Sequence, residues 1–252
     1  MSPQPRIPFH FHAEGHALSA EFRHPGRVLI KAQASASLPT IGGHARAHAD
    51  HFFHSDFVSF RTAHTEVTGR WIDADTVLTT ATTTIEDLDV LQIVTADRIV
   101  SRLVSTHKRH KPEGHIVSVG SEFHNLRVHG HLLTVALRHK LLSDSETFDD
   151  LRKKVESREE SERIRYISDN KGVAICSLVE NIQTDLEGVD PKKHVFRVPN
   201  FGKIALAEVF AEPGRRVLTM LRLELGSPHV ADITAAEAST NGKPWPPSPL
   251  SS

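Results

Sequence analysis

Residues 204–225 read Ile-Ala-Leu-Ala-Glu-Val-Phe-Ala-Glu-Pro-Gly-Arg-Arg-Val-Leu-Thr-Met-Leu-Arg-Leu-Glu-Leu. Two apolar-rich runs, Ile204–Phe210 and Val217–Leu225, flank Glu212-Pro213-Gly214-Arg215. Proline presets φ at the first central position of a tight turn, and glycine accepts a positive φ at the second. The stretch therefore predicts an antiparallel hairpin. Its second arm sets Val217, Thr219, Leu221, Leu223 and Leu225 against Arg216, Leu218, Met220, Arg222 and Glu224. Apolar side chains on both sides of its middle predict a central strand.

The same device occurs near the N-terminus. Leu18, Ala20 and Phe22 alternate with Ser19 and Glu21, and Val28, Ile30, Ala32, Ala34, Ala36 and Leu38 alternate with Lys31, Gln33, Ser35 and Ser37. Between them His24-Pro25-Gly26-Arg27 reads as a type II turn, giving a hairpin over 17–38 with one wet face. The middle of the chain adds strands at Thr76–Ile85, Asp89–Val94, Arg98–Thr106, His115–Val119, Glu122–Val128 and Leu132–His139, rich in threonine and β-branched residues. Ile85-Glu-Asp-Leu88-Asp-Val90 echoes Phe123-His-Asn-Leu126-Arg-Val128, with three apolar positions at the same offsets.

One segment departs from period two. Over 146–163 the chain reads as a charged surface helix, with Thr147 as cap, Asp149 and Asp150 in the first turn, and a narrow stripe of Phe148, Leu151 and Val155. Asp149–Lys153 and Asp150–Lys154 have i,i+4 spacing. The expected fold is mainly β, an antiparallel β-sandwich or open barrel built from hairpins; a β-solenoid is the alternative raised by the echo. The expected divisions are an N-terminal stretch at 1–8, a larger β portion at 9–142, a helix and connector at 143–168, and a smaller β portion at 169–241. A proline-rich tail at 242–252 completes the chain.

Composition excludes several classes. Lys and Arg number 30 against 31 Asp and Glu, so the basic excess of a phosphate-neutralising protein is missing and no nucleic-acid partner is expected. No apolar run reaches the length of a spanning helix. Cys176 is the single cysteine, which excludes an internal disulfide framework. It lies in a strand-like run, Val173–Val179, and reads as a small core residue. The first eight residues contain three prolines and no apolar signal region, and the expected compartment is cytoplasmic. Exposed strand edges leave a homo-oligomer open.

Histidine is over-represented: 18 residues outnumber the aromatics. In Phe9-His10-Phe11-His12 two imidazoles share one strand face. This fragment resembles the Phe-His-Phe-His of α-class carbonic anhydrases, but residues 28–40 hold no third histidine, and no residue is carried over. His129-Gly130-His131 is a second His-x-His, without the carboxylate that follows in the cupin pattern. The richest patch runs from Gly42 to His54. As a helix it would align His44, His48 and His51; as a strand, the reading favoured by its surroundings, it gathers His44, Arg46, His48 and Asp50 while His51 turns away. Two histidines and a carboxylate suit zinc or iron. The metal-ligand candidates are thus His10, His12, His44, His48, Asp50, His129 and His131. Asp87, Asp89 and Asp97 form an acidic trio at strand ends, which turns use routinely.

No nucleophile elbow, phosphate loop or dinucleotide fingerprint occurs. The expected function is a non-catalytic β-rich binding or scaffold protein, with an unknown protein or small ligand as partner. The alternative is a histidine-ligated metal-binding protein or metal-dependent enzyme. A third reading is a pH-responsive module whose clustered imidazoles repel one another below about pH 6.

Overall fold

A computed structural model describes residues 9–156, 166–167 and 172–244. In chain order the first strands are β1 (Phe9–Phe22), β2 (Val28–Gln33), β3 (Ala36–Ser37), β4 (Gly43–His54), β5 (Val58–Trp71), β6 (Thr76–Val90) and β7 (Val94–Lys108). Short strands follow: β8 (His115–Val117), β9 (Glu122–His124), β10 (Arg127–Val128), β11 (His131–Leu132) and β12 (Thr134–Leu137). Helices α1 (Lys140–Ser143) and α2 (Phe148–Glu156) interrupt the strands. The chain continues as β13 (Tyr166–Ile167), β14 (Ala174–Ser177), β15 (Val179–Gln183), β16 (Val195–Val198), β17 (Gly202–Glu212), β18 (Arg215–Leu225) and β19 (Ala231–Pro244).

Two open antiparallel sheets face each other. The first runs β13-β14-β17-β18-β19-β1-β2, and the second β11-β10-β7-β6-β5-β4. The N-terminal strand β1 thus sits beside the C-terminal strand β19, with Phe22 opposite Ala231 and Phe9 opposite Pro244. Strands β1 and β19 cover β5, β6 and β7 of the other sheet. The buried interface includes Leu18, Ile85, Ile99, Leu103, Ile204 and Leu223. Antiparallel neighbours throughout the described pairs make this a sandwich and exclude the solenoid.

Strict alternation breaks along one line in each sheet. In the second sheet, paired outward residues stand side by side: Asp50-His51, Arg61-Thr62, Glu86-Asp87, Asp97-Arg98 and His124-Asn125. His51, Asp87 and Asn125 adopt φ near +50° on alternate strands, which reverses the pleat there. Asp, Asn and His tolerate that left-handed conformation better than most side chains. In the first sheet the doubled residues face inward and are apolar: Ala17-Leu18, Leu206-Ala207, Met220-Leu221 and Ala235-Ala236. There Ala207 and Ala236 take the left-handed conformation, on the two strands flanking Met220.

These reversals correct several expectations. His51 does not turn away from His48 and Asp50; it is exposed beside them. The strand at 28–38 is two pieces, because Ala34 has φ of 45° and the ladder to β1 shifts between Leu18 and Ala20. Asp89–Val94 is not a strand but the β6–β7 turn, with Leu91 and Gln92 at positive φ and Asp89 Oδ1 accepting the Gln92 N–H at 2.7 Å. The 24–27 turn is not type II: Gly26 lacks a positive φ, and the His24–Pro25 bond is cis. Glu122–Val128 divides at Asn125, and Leu132–His139 divides into β11 and β12 with His139 preceding α1. Strand β19 continues to Pro244, three residues into the stretch read as tail; residues 1–8 and 245–252 lie outside the described residues.

The helix is shorter than expected, Phe148–Glu156, with 157–163 outside the described residues. Its stripe is as read: Phe148, Leu151 and Val155 are buried. Thr147 Oγ1 accepts the Asp150 N–H at 3.1 Å, while Asp150 Oδ2 accepts the Thr147 N–H at 3.1 Å and its hydroxyl at 2.8 Å. This reciprocal cap satisfies donors that the first turn cannot. Asp150 closes the cap and Asp149 meets Arg152 at 3.5 Å, while Lys153 and Lys154 act on Asp150 through their charge.

Candidate ligand cleft

The histidines highlighted by the sequence fall on different surfaces. His10 and His12 point outward from β1, where His12 Nε2 lies 3.5 Å from Glu14 Oε1. His44 and His48 lie on the outward face of the edge strand β4. His44 Nε2 meets Glu66 Oε1 at 3.2 Å, and His48 Nε2 meets Asp50 Oδ2 at 2.8 Å. His48 is directly opposite His64 in the β4–β5 ladder. His129 occupies the β10–β11 turn at φ of 50°, and His131 Nδ1 meets Asp185 Oδ1 at 2.9 Å. Hydrogen bonding to these imidazoles lowers the pKa of Asp185 from its ordinary range; for Asp50 the Thr62 hydroxyl is the larger cause and His48 the second.

The recurrent unit is one imidazole against one carboxylate, seen again at His16–Glu237 (3.7 Å) and His124–Asp97 (3.8 Å). Among the described residues no three His, Cys, Asp or Glu side chains are arranged to hold a metal ion. His194 and Glu208 form the most buried pair, 3.6 Å apart and 5% and 8% exposed. Glu208 is also gripped by both arms of Arg222, at 2.6 and 3.1 Å. This group anchors β16 and β17 to β18.

A cleft away from these histidines lies between the end of β7, the start of β8 and the turn joining α1 to α2. It encloses about 630 Å³ and is lined by Thr106, Lys108, Lys111, Pro112, Glu113, His115, Ser143, Glu146 and Thr147. That volume falls within the range of small-molecule sites, about 300–1,000 Å³. Its walls are fixed from several directions. His115 donates from Nε2 to the Ser143 carbonyl at 2.7 Å, which ties β8 to the end of α1. His107 donates from Nε2 to the Lys111 carbonyl at 3.0 Å, which shapes the 109–114 loop.

Glu113 is the joint of the cleft. Its Oε2 accepts the Phe148 N–H at 2.9 Å, at the first turn of α2, and the Gly214 N–H at 3.0 Å, at the tip of the β17–β18 hairpin. The positive φ of Gly214, 72°, presents that N–H; the Pro-Gly turn read from the sequence has this second use. Glu113 also sets its charge against Arg216, which is 4% exposed and has its pKa lowered chiefly by burial. Lys111 Nζ meets Glu146 at an exposed 3.2 Å contact. Lys108 supplies the remaining positive charge in the cleft wall.

None of the metal-ligand candidates lines this cleft. Its residues come from 106–115 and 143–147, where the sequence offered only the strand beginning at His115 and the cap at Thr147. No helix among the described residues is long and apolar enough to cross a membrane. No curated protein and no solved structure matches the chain. A family match covers residues 9–165 and 143–212, which together run from the start of β1 to the end of β17. The chain belongs to that family, described as Domain of unknown function (DUF8256).

Proposed function

We propose that this β-sandwich is a non-catalytic binding protein and that the cleft beside α2 takes a small anionic ligand. The observation that carries the reading is the lining itself: Lys108 and the Thr106 hydroxyl, with Lys111 held by Glu146 and with Glu113 engaged by the Phe148 and Gly214 N–H groups. The first turn of α2 adds partial positive charge to the same wall. No activated nucleophile accompanies these groups, which favours binding over covalent chemistry.

The test is thermal unfolding in inorganic phosphate at constant ionic strength, for the wild type and for Lys108→Met with Lys111→Met. Binding to the native state raises the midpoint by mass action. The expected result is a phosphate-dependent rise that disappears in the double variant. An equal rise in both proteins would assign it to general salting effects and remove the cleft from the account.

Metal binding is a second reading, favoured by one observation: Asp50 bonds His48, which faces His64 across the ladder. Metal content of protein purified without a tag or added metal separates the two. Near-stoichiometric zinc or iron, lost in His48→Ala, would promote this reading.

A further inference from the structure

The second sheet ends on an unprotected strand. Strand β4 pairs with β5 on one side, and no strand flanks its other side among the described residues. Sheet edges are usually blunted by lysine, proline or a short length. Here the edge is 12 residues long and contains neither residue type. One edge of the first sheet, β2, has six residues and carries Lys31.

The straight part of β4 is His44-Ala45-Arg46-Ala47-His48-Ala49-Asp50, bounded by Gly43 at φ of 113° and the pleat reversal at His51. Ala45, Ala47 and Ala49 point toward the sandwich interior but remain half-buried, because nothing continues the sheet beyond them. This inner row is symmetric about Ala47. The outer row places a histidine at one end, His44, and an aspartate at the other, Asp50. Arg46 makes no ion pair among the described residues; Glu66, its cross-strand neighbour, is engaged by His44. A depression of about 520 Å³ runs along this edge, lined by Arg46, Ala47, His48, His64, Thr65 and Glu66.

We infer that β4 is a self-association edge: a second copy of this chain adds its own β4 antiparallel, about a two-fold axis at Ala47. The chemistry is self-complementary in that register. Ala45 meets the partner's Ala49, Ala47 meets the partner's Ala47, Arg46 stands opposite the partner's His48, and His44, which pairs with Glu66 in its own chain, meets the partner's Asp50. Arg46 reaches the same aspartate along the diagonal, within the range over which long side chains interact across a ladder. The backbone groups left open at the edge become paired, and the two second sheets join into one continuous sheet. Because the contact is isologous, it closes at two copies.

Ala47→Cys tests the axis directly. Antiparallel partners lie about 4.5–5.5 Å apart at Cα, within disulfide reach. The native Cys176 is buried, so it does not compete. Wild-type protein should show twice its 27.9 kDa mass by light scattering, and mild oxidation should convert Ala47→Cys to a covalent dimer. Ala45→Cys, whose partner position is 49, should cross-link far less. Asp50→Arg should lower the dimer fraction without loss of the native circular dichroism spectrum. A monomeric mass at every concentration, or equal cross-linking of Ala45→Cys and Ala47→Cys, would overturn the proposal.

Discussion

Asp87 and Asn125 share a left-handed backbone, φ 52° and 50°, on the two segments that flank Asp97. Asn125 Nδ2 donates to Asp97 Oδ2 at 2.6 Å, while Asp87 accepts from Arg61 at 2.5 Å. They stand at the same offset in the two echoing segments, 85–90 and 123–128. Four residues later each segment enters a turn with positive φ, at Leu91-Gln92 and at His129-Gly130. The echo is therefore a shared backbone device around β7, with Val90 and Val128 both paired to Val94.

This device predicts a sharp ranking of substitutions. A left-handed conformation costs an ordinary side chain about 1–2 kcal/mol, and a β-branched one more. Asn125→Gly should change stability little, since lost side-chain bonding offsets relieved backbone strain. Asn125→Val should cost about 2 kcal/mol or more. Ala236→Val should cost at least as much, because Ala236 is fully buried. Urea midpoints at constant slope measure all three; equal effects of glycine and valine would refute the backbone argument.

Glu113 predicts a coupling between three elements. Glu113→Ala removes the acceptor for the Phe148 and Gly214 N–H groups and the nearby negative charge that favours the charged form of Arg216. The expected loss is about 1–3 kcal/mol for each N–H group left unsatisfied. Glu113→Gln keeps one acceptor oxygen and should lose less. The double change Glu113→Gln with Arg216→Met should recover part of the deficit, as a double-mutant cycle would show.

The α2 stripe sets a packing prediction. Leu151 is fully buried, against the main core. Leu151→Ala should cost about 2–5 kcal/mol by the transfer and cavity cost of core truncation. Lys153→Ala, on the exposed side of the same helix, should cost less than about 0.5 kcal/mol.

Acid sensitivity follows from groups of two kinds. Burial lowers the pKa of His139, so the folded state prefers its neutral form. The unfolded chain then binds more protons between the lowered folded value and 6.5, and stability falls as pH drops through that window. Asp50, Asp150 and Asp185 have lowered values in the fold, led by hydrogen bonds to Thr62, Thr147 and His131. Their contribution is present above the unfolded value of 3.8 and is lost as pH falls below it. Urea midpoints against pH should show both declines, and His139→Asn should flatten the upper one alone. The pairing of imidazoles with carboxylates runs against mutual repulsion as the origin of a pH response.

Period two made the hairpins readable. The hairpin over Ile204–Leu225 formed as read, and residues 44–50 alternate as a strand until the pleat reverses at His51. The pleat reversals escaped because each puts two neighbours on one face, a pattern that strict alternation treats as noise. Leu206-Ala207 and Ala235-Ala236 appear in the sequence only as short apolar pairs. The cleft was less legible still. Lys108, Glu113 and Thr147 belong to a strand end, a loop and a cap, and Glu113 is tied to Gly214, about a hundred residues further on. The histidines drew the eye because of their number, yet His12, His44, His48 and His131 each meet a single carboxylate.

The central claim is that the cleft between the 106–115 segment and α2 binds a small anion. Titration of isotope-labelled protein with inorganic phosphate, followed by amide chemical shifts, tests it most directly. The account predicts saturable shifts confined to 106–115 and 143–148, abolished in Lys108→Met with Lys111→Met. Shifts that fail to saturate, or that spread equally to the charged face around Lys203 and Arg222, would contradict it.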